Sequence, residues 1–146
     1  MDILEFDETR RADLIDLWKA CDLTRPWNDP DADIDRALAN PSSTILLAVE
    51  GDRTIGGVMC GYDGHRGWVY YLAASPGHRG TGIGRKLMTA AEDWLKDRGC
   101  PKLQLMVRET NTATLGFYDS IGYERQPVEV LGRWLVEPEG GSPTAG

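Results

Sequence analysis

The stretch Tyr71-Leu-Ala-Ala-Ser-Pro-Gly-His-Arg-Gly-Thr-Gly-Ile-Gly-Arg-Lys-Leu-Met88 decides the fold. It begins inside an aromatic and branched run at 68–74, which reads as a strand. It then crosses a loop at 75–84 with glycine at 80, 82 and 84. Beyond the loop, Ile83, Leu87, Met88, Ala91, Trp94 and Leu95 mark one face of a helix that Lys96, Arg98 and Gly99 close. A strand running through glycines into a helix turns unpaired backbone N–H groups and a positive helix end toward one spot, where phosphate binds readily. Glycine lets a ligand approach the backbone, and Arg79 and Arg85 add positive charge. A solvated loop that holds nothing is the competing reading, and it accounts poorly for glycines and arginines in this strand–helix setting.

Working outward, residues 1–6 alternate weakly, as an edge strand would. Leu14, Leu17, Trp18 and Cys21 recur at helical spacing, with Thr9 as cap. Asp29-Pro30 reads as an N-cap followed by proline at the first helical position, starting a second helix that runs to about residue 40. Strands follow at 44–50 and 53–62, and the hairpin opened by Asp63-Gly64 leads into the strand at 68–74. Past the central helix, 102–107 reads as a strand, 111–121 as a helix stopped by Gly122, and 123–126 and 128–136 as two last strands. The order is strand, two helices, a three-strand meander, helix, strand, helix and two strands. That predicts a mixed α/β sheet covered by helices rather than an alternating doubly wound fold. Residues 1–136 are expected to form one domain, and the Pro/Gly/Ser-rich residues 137–146 a disordered tail.

Composition supports a single globular domain: 146 residues, 41% apolar and 27% charged. A net charge of −7 argues against nucleic acid and anionic membrane as general partners. No stretch approaches the roughly 20 apolar residues of a membrane span, and the acidic start Met1-Asp2-Ile3-Leu4-Glu5 is unlike a signal peptide. Cys21, Cys60 and Cys100 are scattered without CxxC spacing, which fits free thiols in a reducing cytoplasm and no metal site.

Spacing narrows the phosphate ligand. A dinucleotide fingerprint counted from Gly80 would need glycine at Arg85 and an acid near Gln104, and neither is there. A Walker loop is absent too. What remains is Arg-x-x-Gly-x-Gly at Arg79, Gly82 and Gly84.

With that loop, the sequence resembles the GNAT superfamily, the GCN5-related N-acetyltransferases, over most of its length. The stretch quoted above is similar to the family's fourth strand, diphosphate loop and third helix. Asn111 through Phe117-Tyr118-Asp119-Ser120-Ile121-Gly122-Tyr123 is similar to its second block, with Thr114 where alanine is usual. Residues 25–30 and 61–67 look more narrowly like a bacterial YpeA-type subfamily. The resemblance implies a mostly antiparallel central sheet flanked by helices, a homodimer, and acetyl-CoA as co-substrate.

Site residues follow from the same likeness. Leu72, Ala73 and Ala74 would line the pantetheine arm, with the Ala74 N–H polarising the thioester carbonyl, although small residues also suit a buried strand end. Arg79, Gly80, Thr81, Gly82, Ile83, Gly84 and Arg85 would hold the diphosphate. Asn111 would bond the coenzyme arm, unless it only caps its helix. Tyr118 would protonate the departing sulfur; from the residues alone, core packing explains it better. Arg25, Trp27, Asn28 and Tyr62 would line the acceptor site, and Trp27 packing under its loop is an equal reading. A general base has no assignment: 68–74 holds no carboxylate, which leaves Asp63, His65, Asp22 and Asp29 on loops. The function implied is acetyl transfer from acetyl-CoA to a primary amine, of a small molecule, peptide or protein, by direct attack. A non-catalytic acyl-CoA-binding or sensing module is the alternative.

Overall fold

The structure, a computed structural model, describes residues 1–139. Among them, five strands form one sheet in chain order: β1 (Asp2–Glu5), β2 (Ser43–Glu50), β3 (Arg53–Tyr62), β4 (Gly67–Ala74) and β5 (Leu103–Leu105). All neighbours are antiparallel except β4 and β5, which are parallel. The helices are α1 (Arg11–Ala20), α2 (Pro30–Ala39), α3 (Ile83–Lys96) and α4 (Thr112–Ser120).

Both sheet faces are covered, which explains the unbroken apolar run of β2. Its Ile45, Leu47 and Val49 pack with Leu14, Leu17 and Trp18 of α1 and Ile34 of α2. Leu46 and Ala48 face the other way, toward Leu87, Met88 and Ala91 of α3 and Tyr118 of α4. Side chains such as Leu14 and Leu87 are fully buried, each worth about 1.5–3 kcal/mol over exposure. Gly56 is where α3 comes closest to the sheet: a Cβ there would lie 2.7 Å from Ile83 Cγ2 and 2.9 Å from Leu87 Cδ1.

Helix ends follow local chemistry. Asp29 Oδ1 accepts from the Asp31 and Ala32 N–H groups, so the Asp29-Pro30 start of α2 is as expected. α3 and α4 end alike, on left-handed Gly99 and Gly122. The next N–H groups, of Cys100 and Tyr123, reach back to the Leu95 and Tyr118 carbonyls.

The pairing of β3 with β4 carries a bulge. Met59 faces Tyr70 and Gly57 faces Ala73, so Tyr71 and Leu72 together oppose Val58. The extra residue reverses the alternation: Val69 packs with α3, whereas Tyr71 and Ala73 pack with α1 and α2.

Three sequence expectations are corrected. Thr9 does not cap α1; it lies in a 3-10 turn at Glu8–Arg10 that Asp7 caps. The strand expected at 102–107 is paired only at Leu103–Leu105. The two strands expected at 123–126 and 128–136 are absent among the described residues, because nothing pairs with that segment. β-propensity needs a neighbouring strand to act on, and here Val128, Val130, Leu131 and Leu135 stand in solvent. Of the tail expected to be disordered, residues 140–146 lie outside the described part. Among the described residues, no helix is long and apolar enough to cross a membrane.

Candidate active site

β4 and β5 run side by side only where Gly67, Trp68 and Val69 meet Leu103, Gln104 and Leu105. Beyond Val69 the strands part, so residues 70–74 keep one backbone edge without a strand partner among the described residues. An unpaired edge is a template for any extended chain that offers its own donors and acceptors. Leu72, Ala73 and Ala74 stand on it.

At the end of that edge lies the glycine loop. Gly80 and Gly82 have φ of 80° and 86°, a left-handed backbone that glycine adopts without penalty. A Cβ at either position would meet nothing within 4 Å, so the space over the loop is open. Gly84 is glycine for another reason: a Cβ there would sit 3.0 Å from the Phe117 ring of α4. The first intrahelical donor of α3 is the Lys86 N–H, bonded to the Gly82 carbonyl at 3.1 Å, so those of Ile83, Gly84 and Arg85 point out of the helix end. Thr81 Oγ1 donates to the His78 carbonyl and fixes the turn. Arg79, Arg85 and Lys86 are exposed and have no acidic partner among the described residues. Open space, outward N–H groups and unpaired cations together fit a diphosphate.

Phe117 carries α4 against this helix end, and Tyr118 beside it is 7% exposed. Its ring meets Phe117 and Tyr123 edge-on, with centroids 5.1 Å and 5.6 Å away. Burial pushes its phenol up to about 12, so the hydroxyl keeps its proton at neutral pH. It has no hydrogen-bond partner among the described residues. Tyr118 is therefore both a core residue and an uncommitted proton donor. Asn111 does cap α4, its Oδ1 accepting from the Thr114 N–H at 3.2 Å, which leaves its amide NH₂ for other contacts.

On the other side of β4 opens a cavity of about 760 Å³. Arg25, Trp27, Asn28 and Tyr62, expected to line one site, do line it together, with Trp68, Tyr70 and Tyr71 of β4. Arg25 is tied to the carbonyls of Asp22 and Thr24, both at 2.8 Å. The four loop candidates for a base are otherwise engaged or distant. Asp29 caps α2, and Asp22 is an exposed partner of Arg25. Asp63 accepts from the His65 and Arg66 N–H groups at 2.8 Å, which lowers its pKa and fixes the hairpin. His65 is exposed and does not line the cavity.

Two residues not singled out from the sequence stand out on the cavity wall. Tyr71, at the bulge, has φ of 56°, which for a bulky side chain costs about 1–3 kcal/mol. Its ring stacks on Trp18, centroids 3.9 Å apart and 11° from parallel. Its hydroxyl donates to Asp33 Oδ2 at 2.6 Å. Burial first, and then Asp33, hold the phenol protonated well above its ordinary pKa. Asp33, 22% exposed at its side chain, is a first-turn residue of α2 that reads in sequence as one more solvated acid. The doublet Tyr70-Tyr71 in a short strand was its only local signal.

Comparison with known proteins agrees with this architecture. A family model described as "Acetyltransferase (GNAT) family" matches residues 11–123. "Acetyltransferase YE1169" of Yersinia enterocolitica is 45% identical over 136 residues, covering 93% of this chain and 96% of that protein. A Yersinia pestis acetyltransferase matches equally. Among solved structures, AAC(6')-Iy in complex with a CoA bisubstrate analogue superposes with a TM-score of 0.78 at 18% identity, covering 92% of this chain and 98% of the other. An aminoglycoside 6'-N-acetyltransferase of Acinetobacter haemolyticus gives 0.78 at 19% identity, covering 94% and 100%. At such identities these likenesses speak to the fold. With a mixed sheet that splays at β4, a glycine-rich helix start beside it, and a family match across both, the chain belongs to the GNAT acetyltransferase family.

Proposed function

We propose that the protein moves an acetyl group from acetyl-CoA to a primary amine of a small molecule, peptide or protein, by direct attack within a ternary complex. The observation that carries this reading is the position of β4 between two open spaces. Its free edge and the glycine loop lie on one side, and the cavity of Arg25, Trp27, Asn28 and Tyr62 on the other. In this reading the N–H groups at 82–85, with Arg79 and Arg85, take the diphosphate. Leu72, Ala73 and Ala74 pair with the pantetheine arm, and Asn111 offers it an amide donor. Tyr118 supplies the proton that the departing sulfur needs, since its raised pKa keeps it a donor at neutral pH. The cavity's aromatic walls and its two carboxylates, Asp33 and Asp63, suit a cationic amine.

The test is a panel of amines, peptide N-termini and lysine peptides, assayed for thiol release from acetyl-CoA. Turnover of at least one class is expected; acetyl-CoA binding with no turnover on any would favour a binding or sensing module instead.

We further propose that the chain works as a homodimer. The support is the apolar strip at Val128, Val130, Leu131 and Leu135, with Leu131 and Leu135 90% and 91% exposed in one chain. Light scattering should give twice the chain mass, and Leu131→Ser with Leu135→Ser should halve it. A wild-type monomer would remove the second copy from the account.

A further inference from the structure

We propose that Asp33 is the proton acceptor for the acceptor's ammonium group, a role that rests on the acetyltransfer reading above. The bulge in β4 gives Tyr71 a backbone that tyrosine seldom adopts, and the side chain it aims is gripped twice, by Trp18 and by Asp33. Such an outlier persists where the surroundings over-determine it, and strain of this kind clusters at active sites and ligand clamps. Here Tyr71, one residue before the Leu72–Ala74 edge, holds the Asp33 carboxylate on the cavity wall.

The hydrogen bond has a definite sense. Tyr71 is the donor and keeps its proton, and Asp33 Oδ2 is the acceptor. Arg36 Nη1 donates to Oδ1 at 3.4 Å from a mostly exposed side chain, so solvent screens that pair. Three further charges reach the cavity from other elements: Arg108 after β5, Arg25 from the loop before α2 and Asp63 from the hairpin. Arg25 and Asp63 are occupied with their own backbone neighbourhoods. Tyr62 adds a phenol to the wall; burial raises the Tyr70 phenol and pushes the Cys60 thiol up to about 12, so these two are neutral at physiological pH. Of the two carboxylates on this wall, Asp33 is held by the side chains of Tyr71 and Arg36, whereas Asp63 is tied to the backbone of its own hairpin.

The ammonium, directly or through one water, gives a proton to Asp33, and the freed lone pair forms the N–C bond to the acetyl carbon. The C–S bond breaks, Tyr118 protonates the sulfur, and the second proton shed by nitrogen restores Tyr118. One proton leaves Asp33 for solvent in each turnover. A carboxylate reacting with an ammonium gives a rate that is flat between their two pKa values. A site lacking it must wait for free amine, whose concentration rises tenfold per pH unit below the amine's pKa.

The experiment uses Asp33→Asn, Asp33→Glu and Tyr71→Phe with two probes, n-butylamine and its heptafluoro analogue, fluorinated on every carbon beyond the aminomethyl group, whose amine is mostly neutral at neutral pH. At neutral pH, Asp33→Asn should lower kcat/KM for n-butylamine about 100-fold or more. It should convert a flat pH profile into one rising with pH, while the fluorinated amine loses no more than about threefold. Asp33→Glu should recover part of the loss, and acetyl-CoA affinity by calorimetry should not change. Tyr71→Phe, which alters no charge, should show the same pattern more weakly, and it stands in if Asp33→Asn does not fold. Equal losses with both amines, or none with either, would overturn the role of Asp33. A wild type that binds acetyl-CoA yet acetylates neither probe would count against acetyl transfer itself.

Discussion

Tyr118→Phe separates catalysis from packing, because the ring is packed while the hydroxyl has no partner among the described residues. The ring is buried and meets Phe117 and Tyr123 edge-on at 5.1 Å and 5.6 Å, and phenylalanine keeps both contacts. The hydroxyl has no partner among the described residues, so removing it should change stability by no more than about 0.5 kcal/mol. In its proposed role as proton donor to the leaving sulfur, the same hydroxyl should matter about 10²- to 10⁴-fold in kcat, which is about 2.7–5.4 kcal/mol of barrier. KM for acetyl-CoA should stay close to wild type. The assay is thiol release under saturating acetyl-CoA, with a urea melt on the same preparation. Equal kcat would remove Tyr118 from the chemistry, and a rate loss matched by a stability loss of similar size would return it to packing. Alanine would confuse the two, since truncating a buried aromatic costs about 3–5 kcal/mol by itself.

Other consequences are simpler. Burial raises the Tyr118 pKa to about 12 in the fold, against about 10 unfolded. Its contribution is therefore intact below pH 10 and falls as pH rises toward 12, by up to about 3 kcal/mol. Alkaline urea melts should show that loss, and Tyr118→Phe should lessen it. Gly82→Ala should cost about 1–2 kcal/mol through its left-handed φ alone, since its Cβ would meet no neighbour; a stability equal to wild type would contradict the loop geometry. Gly56→Ala should cost about 1–3 kcal/mol by overpacking against Ile83 and Leu87, and thermal unfolding would read it directly.

Local chemistry is what the sequence displays most plainly. Asp29-Pro30, Gly99 and Gly122 mark helix ends because their backbone and side-chain preferences act within a few residues. The loop at 79–84 was legible for the same reason. Gly84 was legible only as part of the pattern, since its need for a missing Cβ comes from Phe117, far along the chain. The strands expected after residue 122 failed because alternation describes a face, and a face needs a partner that this segment lacks. Tyr71 and Asp33 were hidden more deeply. The bulge that turns Tyr71 arises from its register with β3, and Asp33 looks like any acid in the first turn of a helix. The loop residues Arg25, Trp27 and Asn28 were read together with Tyr62, and they do share a cavity.

The central claim is that residues 79–85 hold the diphosphate of acetyl-CoA at the start of α3, and calorimetric titration tests it most directly. The account predicts one acetyl-CoA bound per chain, no comparable heat with ATP or NAD, and affinity at least about tenfold weaker in Arg79→Ala with Arg85→Ala, as the loss of charge-assisted bonds to phosphate implies. No heat with acetyl-CoA, or an affinity unmoved by the double substitution, would contradict it.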